Sequence, residues 1–129
     1  MTVTVLQAPV LDHDLMMAKR FGCTVNPNGK LERRVVWNLL NYLISKGFKV
    51  LSVFDGDEFK DATDPKAAME LIFDLDEARV GIEGAKGSDH GIVLIMGNGC
   101  DIISDWSYFE DDRDGFNAAM DQFNGEDYA

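Results

Sequence analysis

The feature that most constrains the fold is a short apolar run followed at once by a turn signal and a second β pattern. Ile92 to Met96 is unbroken apolar sequence and is β-branched at three of its five positions. Such a run is typical of a strand that is buried on both faces in the middle of a sheet. Asn98-Gly99 tolerates positive φ at both positions and suits a type I′ turn, and Asp101 to Ser107 resumes a β pattern. The sequence therefore predicts a tight hairpin here.

Helical periodicity is strongest between Leu31 and Gly47. Apolar residues recur there at spacings of three and four, and Gly47 stands where a left-handed cap is favoured. The residues on this apolar stripe are Val35, Val36, Leu39, Leu40, Leu43 and Ile44. Phe48 to Phe54 follows and predicts the first strand of the main sheet, covered on both sides.

The rest of the chain predicts two more helices and a second hairpin. Asp64-Pro65 places an N-cap before a proline at the first helical position, which predicts a helix to about Phe73. Arg79 to Glu83 alternates like a strand and leads back into the Ile92 strand. A final short helix carries the stripe Phe116, Ala119, Met120 and Phe123. This order predicts an α+β fold, with helices packed on a mostly antiparallel sheet of about four strands.

The sequence divides into an N-terminal arm with a linker, residues 1–30, and a single α+β domain, residues 31–129. Within the arm, Thr2 to Leu6 alternates like a short strand, and Asp12 to Phe21 predicts a short helix that Gly22 ends. The residues expected to face inward from that helix are Leu15, Met16 and Ala18. The turn-forming residues after the helix predict the linker.

Charge is distributed very unevenly along the chain. The net charge is −11; residues 1–50 carry seven basic and three acidic residues, a net of +4, and residues 51–129 carry five and twenty, a net of −15. Such a chain is expected to repel nucleic acid and anionic membranes and to attract a protein with a basic surface. The longest apolar run is five residues, far short of the roughly 18 of a membrane span. The start lacks the pattern of a signal peptide, so we expect a cytoplasmic protein.

Candidate catalytic residues are few. Cys23 and Cys100 match no zinc pattern and are expected to be free thiols. Strand spacing of about 3.3 Å per residue places Cys100 and His90 roughly 23 Å apart, too far for a nucleophile and its base. We therefore expect no catalytic residues, no cofactor and no enzyme activity.

A calcium site is an alternative for the segment from Glu110 to Asp121. Its oxygen-bearing residues and Gly115 fall at the positions that an EF-hand loop requires. Three departures oppose it: Glu110 stands where Asp is usual, Asn117 where an apolar residue belongs, and Asp121 where the longer Glu is usual. The other interpretation is a helix cap with solvated charge, and we expect no metal site.

The acidic residues of the second half are the candidate partner-binding surface. Their carboxylates could mimic phosphates and act as a decoy, or they could only make the protein soluble. Flanking aromatic residues would suit a protein-binding hot spot. The candidate residues are Asp55, Asp57, Glu58, Asp101, Asp105, Glu110, Asp111, Asp112 and Asp114, with Trp106 and Tyr108. A basic patch of Lys30, Arg33 and Arg34 leaves a homodimer or homo-oligomeric accessory protein as an alternative, in which this patch pairs with the acidic half of a second copy.

One segment resembles a known group of proteins. Gly97-Asn-Gly-Cys-Asp-Ile-Ile-Ser-Asp-Trp-Ser107, near an acidic C-terminus, is similar to a turn-and-strand signature of small uncharacterised proteins of tailed phages and prophages. The resemblance runs from about Leu31 onward, and residues 1–30 depart from it. It implies a phage or mobile-element protein that acts in a bacterial cytoplasm, and it brings no known activity. The resulting hypothesis is a non-enzymatic inhibitor or decoy of a host nucleic-acid-binding or defence protein.

Overall fold

The computed structural model describes residues 6–22, 27–97 and 101–122. Within them, four helices and five strands follow in the order α1 (Asp12–Phe21), α2 (Pro27–Ser45), β1 (Lys49–Phe54), β2 (Phe59–Asp61), α3 (Pro65–Ile72), β3 (Glu77–Glu83), β4 (Asp89–Ile95), β5 (Ile103–Trp106) and α4 (Phe116–Gln122). All neighbouring strands are antiparallel, and their order in the sheet is β2-β1-β3-β4-β5. The predicted α+β fold is confirmed, with one strand more than the expected four.

One face of the sheet is buried and the other is partly open to solvent. Val80 on β3 and Ile92 and Leu94 on β4 are buried on the covered face, while the residues between them are half-buried or exposed. The prediction that the Ile92 strand lies inside the sheet is confirmed, but the prediction that it is buried on both faces is wrong. β3 is the central strand, and β4 lies between β3 and the edge strand β5. A continuous apolar run does not show whether helices cover one face of a strand or both. Val93 and Ile95 are apolar although they are only partly buried, so the run looks the same in either case.

The first strand shows the same difference. β1 buries Val50 and Val53 but leaves Leu51 and Phe54 only half-buried, and its pairing with β3 shifts between Val50 and Ser52. The expected cover on both sides is thus also wrong for β1. A strand that the sequence did not predict, β2, pairs with β1 beyond the turn at Asp55. It has only three residues, all of them exposed, which is too short for an alternating β pattern to show.

Helices α2 and α3 pack against each other and against β1. The predicted stripe of α2 is confirmed for five residues that are 0% exposed, namely Val35, Val36, Leu39, Leu40 and Leu43. Ile44, expected on that stripe, is 39% exposed. The helix begins at Pro27 rather than Leu31, so residues 27–30 are helical instead of linker. In α3, the Asp64 cap is confirmed, because its side chain accepts a hydrogen bond from the Ala67 N–H at 3.1 Å.

Helix α1 has the predicted bounds and ends at Gly22, whose φ of 66° is the left-handed conformation of a C-cap. The predicted inward residues Leu15, Met16 and Ala18 are exposed, so that expectation is wrong. The chain before α1 and the start of α1 are held instead by polar contacts from other helices. Asn38 of α2 both accepts the Leu6 N–H (2.7 Å) and donates to the Leu6 carbonyl (2.8 Å).

Two further contacts fix the start of α1. Leu11, just before the helix, is 0% exposed. The Glu70 carboxylate of α3 accepts the N–H of Asp12 at 2.7 Å, which satisfies one of the free donors at a helix N-terminus. Amphipathic periodicity could not reveal this arrangement, because α1 is oriented by backbone and carboxylate contacts rather than by an apolar stripe.

Several predictions fall outside the described residues: most of the Thr2–Leu6 strand, Cys23, the Asn98-Gly99 turn, Cys100 and Phe123. The antiparallel pairing of β4 with β5, which the turn was expected to connect, is confirmed. In the described part of the chain, no helix combines the length and apolar character needed to cross a membrane.

Candidate functional site

The edge strand β5 and the residues around it follow the free side of β4. At one end of β4, Ile95 donates its N–H to the Ile102 carbonyl (2.9 Å); toward the other end, Ser107 donates its N–H to the Gly91 carbonyl (2.8 Å). The four residue steps from Gly91 to Ile95, at about 3.3 Å each, make this paired border roughly 13 Å long. β5 is the last strand of the sheet, so the side of β5 that faces away from β4 forms the border of the sheet.

Exposed side chains along this border are mostly acidic or aromatic. We call them the acidic edge: Asp101, Asp105, Tyr108, Phe109, Glu110 and Asp111. Tyr108 is 79% and Phe109 43% exposed, which is unusual for rings of this size. Ile102 is fully buried and Trp106 packs against the core, so the candidate Trp106 lies inward of the edge.

Three of the other predicted acidic residues lie on the opposite edge of the sheet. Asp55, Asp57 and Glu58 form the turn between β1 and β2. Four strand spacings of about 4.8 Å separate β2 from β5, so the two acidic groups are roughly 19 Å apart across the sheet. The structure therefore does not bring all the predicted residues together into one surface.

The Asp55 carboxylate is used by its own turn. It accepts the N–H groups of Asp57 and Glu58, both at 2.9 Å, and lies 3.4 Å from the Lys60 ammonium. The backbone hydrogen bond from Glu58 is the main reason that the pKa of Asp55 is lowered, and the bond from Asp57 adds to it. Asp57 and Glu58 themselves are exposed.

Asp114 was predicted on the partner-binding surface, but its carboxylate lies inside the molecule. Its side chain is 0% exposed, and its Oδ2 is 3.0 Å from Nε2 of His90, whose side chain is 3% exposed. The Lys86 N–H donates to its other oxygen at 3.1 Å. The hydrogen bond from His90 is the main cause of a lowered pKa of Asp114, and a bond from the Ser88 hydroxyl also lowers it.

The local sequence explains why this pair forms. His90 occupies an inward-facing position of β4, in register with Ile92 and Leu94, so its ring enters the core. There it stacks on Phe116 of α4 with ring centroids 4.3 Å apart. Gly84 makes room for the carboxylate, since a Cβ at that position would lie 2.2 Å from Oδ2 of Asp114.

Asp112, also predicted on the partner-binding surface, holds the start of α4. Its carboxylate accepts the N–H groups of Asn117 (2.7 Å) and Ala118 (3.0 Å), and its backbone has a φ of 42°. Asp111 and Arg113 point outward and pair with each other at 3.1 Å. Of the four acids from Glu110 to Asp114, therefore, two support the fold and two face solvent.

A cavity of about 140 Å³ opens beside the buried pair, and we call it the His90 cavity. Its lining residues are Ser88, His90, Phe109, Asp111, Arg113 and Asp114. Nδ1 of His90 is buried and has no hydrogen-bond partner in the part of the chain that the structure describes. The cavity thus joins a buried imidazole to the acidic edge, because Phe109 and Asp111 belong to both.

The calcium alternative can be compared with this geometry. The carboxylates of Asp112 and Asp114, which would be neighbouring ligands, turn to the start of α4 and to His90 respectively. Residues 6–22, 27–97 and 101–122 contain no group of three or more His, Cys, Asp or Glu residues that could hold a metal ion.

The predicted basic patch is partly used inside the chain. The Arg33 guanidinium forms two hydrogen bonds of 2.7 Å to the Asp14 carboxylate of α1. It also lies over the Phe73 ring, 4.5 Å from its centroid. Arg33 therefore links α1 to the main body, while Lys30 is exposed.

Sequence reasoning missed the His90–Asp114 pair. It tested His90 only against Cys100 and Asp114 only as a calcium ligand or surface charge. A signal was present: His90 alternates with Ile92 and Leu94, which indicates an inward side chain, and a buried imidazole requires a polar partner. Whether Asp114 is that partner depends on the path of the loop before α4, and no periodic pattern in the sequence encodes that path.

No protein-family model, curated protein or solved structure matches this chain.

Proposed function

We propose that this chain is a non-enzymatic binding protein of phage or mobile-element origin, whose acidic edge docks on a basic surface of a host protein and inhibits it or acts as a decoy. The observation that carries the proposal is a sheet border whose exposed side chains are mostly acids and aromatic rings. The proposed phage origin depends on the resemblance of residues 97–107 to phage proteins.

The chemistry of the acidic edge suits a protein partner. Tyr108 and Phe109 offer large rigid contact areas, the kind of residue that carries most of the binding energy in protein interfaces. Asp101, Asp105 and Glu110 add negative charge along the same edge, which speeds association with a basic surface and selects against acidic ones. Binding that combines aromatic contacts with charge attraction should weaken, but not vanish, as salt screens the charges.

The experiment that tests the proposal compares charge reversal at the two edges of the sheet. The protein is immobilised, its partner is captured from bacterial cytoplasm, and the purified partner is then titrated against three forms of the protein. These are the wild type, the acidic-edge variant D101K/D105K/E110K, and the control variant D57K/E58K/D61K at the β2 edge. Both variants change the net charge by +6, so they differ only in where the charge changes.

We expect the acidic-edge variant to lose affinity by at least tenfold, since each close charge pair across an interface contributes about 1 kcal/mol or more. The control should lose much less. Circular dichroism and thermal unfolding establish that both variants fold. Equal losses in the two variants would show that only net charge matters, and the proposed docking surface would be wrong.

A further inference from the structure

Helix α1 carries large apolar side chains on the side that faces solvent. Leu15 is 57% and Met16 48% exposed, and none of the residues that the structure describes in α1 is buried. A surface helix normally turns its apolar side toward its own core. The orientation of α1 therefore leaves these two side chains available for contact with another molecule.

The side of α1 that faces the rest of the molecule is polar. Asp14 accepts two hydrogen bonds from the Arg33 guanidinium of α2, and Nδ1 of His13 lies 3.5 Å from the carboxylate of Asp74, beyond the end of α3. With 3.6 residues per turn, the two apolar side chains of α1 lie on the opposite side of the helix from these contacts. Ion pairs and hydrogen bonds thus fix which side of α1 points outward.

Charged residues of opposite sign flank the apolar pair on the outward side. Asp12 precedes Leu15 and Met16 by three and four residues, Lys19 follows them by four and three, and both charged side chains are exposed. Spacings of three, four and seven residues keep side chains on one face of a helix. We call these four residues the α1 face. Its order along the helix is acid, apolar, apolar, base.

This order is complementary to itself when the helix is turned end to end. In an antiparallel pair of α1 helices, with a two-fold axis between Leu15 and Met16, each of these residues meets the other type in the second copy. Asp12 then lies level with Lys19 of the other copy at both ends of the pair, because the axial separation of the two residues is the same in each helix. A two-fold interface requires such self-complementarity, and antiparallel helices also bring opposite dipole ends together.

We propose that a second copy of this chain docks on the α1 face and forms a two-fold dimer through an antiparallel pair of α1 helices. The apolar pair supplies contact, and the two ion pairs fix the direction of the helices. The ten residues of α1 span about 15 Å, so the contact falls below the roughly 800 Å² per partner of a standard interface and the dimer is weak. No residue of the acidic edge belongs to it, so this inference goes beyond the proposed function and does not depend on it.

The test is sedimentation velocity of the full chain at concentrations from about 10 μM to about 1 mM, the range in which a weak dimer forms. We expect the wild type to change from monomer to dimer across this range. L15Q/M16Q should stay monomeric, and circular dichroism should show that it folds, because neither side chain is buried. A wild type that stays monomeric at the highest concentration overturns the inference.

Exchange of charge between the two ends of α1 tests the direction of the pair. D12K opposes lysine to lysine in a self-pair, and K19D opposes aspartate to aspartate, so each variant alone should dimerise about tenfold more weakly or worse. An equimolar mixture of the two should recover association, because each lysine then faces an aspartate. Loss alone and recovery in the mixture together identify the antiparallel pair, since a parallel pair would already oppose like charges in the wild type.

Matched control variants separate the α1 face from net charge. D57K and K30D make the same charge changes at exposed residues outside α1, and each should dimerise like the wild type, alone and in a mixture. Loss of the dimer in K30D would place the interface at the predicted basic patch instead. Dimerisation of D12K and K19D at the wild-type level would show that a different surface joins the copies. Either result would contradict the proposed α1 pair.

Discussion

The two edges of the sheet are both acidic, yet they use their carboxylates differently. At the β2 edge, Asp55 is held by backbone N–H groups of its own turn and faces Lys60. At the β5 edge, Asp101, Asp105 and Glu110 are exposed, and so are the aromatic rings of Tyr108 and Phe109 on the same edge. Acidic residues alone therefore do not mark a binding surface; what distinguishes the β5 edge is that acids, rings and a cavity occur together.

The same contrast exists within the loop before α4. Asp112 and Asp114 are adjacent in sequence to the exposed Asp111 and Arg113, but they serve α4 and His90. A carboxylate that satisfies a buried donor stabilises the fold and is not available to a partner. The following predictions test this division, from the largest expected effect to the smallest.

The largest effect is expected for Gly84→Ala. The new Cβ would lie 2.2 Å from the Asp114 carboxylate, which is enclosed and cannot move aside without losing its contact with His90. Crowding of this kind costs about 3 kcal/mol of unfolding free energy, measured by chemical denaturation. The control is Gly91→Ala on β4, where the Cβ would meet its nearest neighbour at an ordinary 3.7 Å. Similar losses in the two variants would contradict the enclosed position of Asp114.

Asp114→Asn should change how stability depends on pH. The pKa of Asp114 is lowered from its usual 3.8, so its contribution is complete above about pH 4 and is lost as the pH falls through the lowered value. The variant lacks this ionisation. We expect it to be less stable at pH 7 and to lose less additional stability between pH 4 and pH 2. Parallel curves for wild type and variant would show that Asp114 titrates as it does in the unfolded chain.

Asp112→Ala should cost about 1–2 kcal/mol of unfolding free energy, because α4 loses its capping carboxylate and alanine is strained at a φ of 42°. Asp112→Asn is the matched control, since asparagine keeps an acceptor oxygen and tolerates positive φ. It should retain most of the stability. If alanine and asparagine behaved alike, the two hydrogen bonds from α4 would not be what Asp112 contributes.

The smallest effect is expected at the β2 edge. Asp57→Lys and Glu58→Lys change exposed side chains that follow the Asp55 turn, and each should alter the unfolding free energy by less than about 0.5 kcal/mol. Partner affinity should change little. A loss of affinity as large as that of an acidic-edge variant would move the docking surface to the β2 edge.

Much of the fold could be predicted from sequence because its signals are local. The stripe of α2, the Asp64 cap of α3 and the Gly22 end of α1 each depend on residues within one or two helical turns. Short exposed elements gave no such signal, which is why β2 was missed. The predicted inward side of α1 was wrong because that helix is held by Glu70 and Arg33, distant residues that no periodicity connects to it.

The candidate site was predictable only in part. Sequence reasoning found the acidic segment and its aromatic neighbours, and it placed Asp111 and Glu110 correctly at the surface. It could not distinguish Asp112 and Asp114 from these surface residues, because contacts with α4 and His90 decide which carboxylates of this loop turn inward. The separation of Asp55 from Asp101 likewise follows from strand order rather than from sequence distance.

The most direct test of the central claim is hydrogen–deuterium exchange of the protein with and without its purified partner. We expect the partner to slow exchange along residues 101–111 and to leave residues 55–61 unchanged. Slower exchange at residues 55–61, or an equal effect on both edges, would contradict docking through the acidic edge.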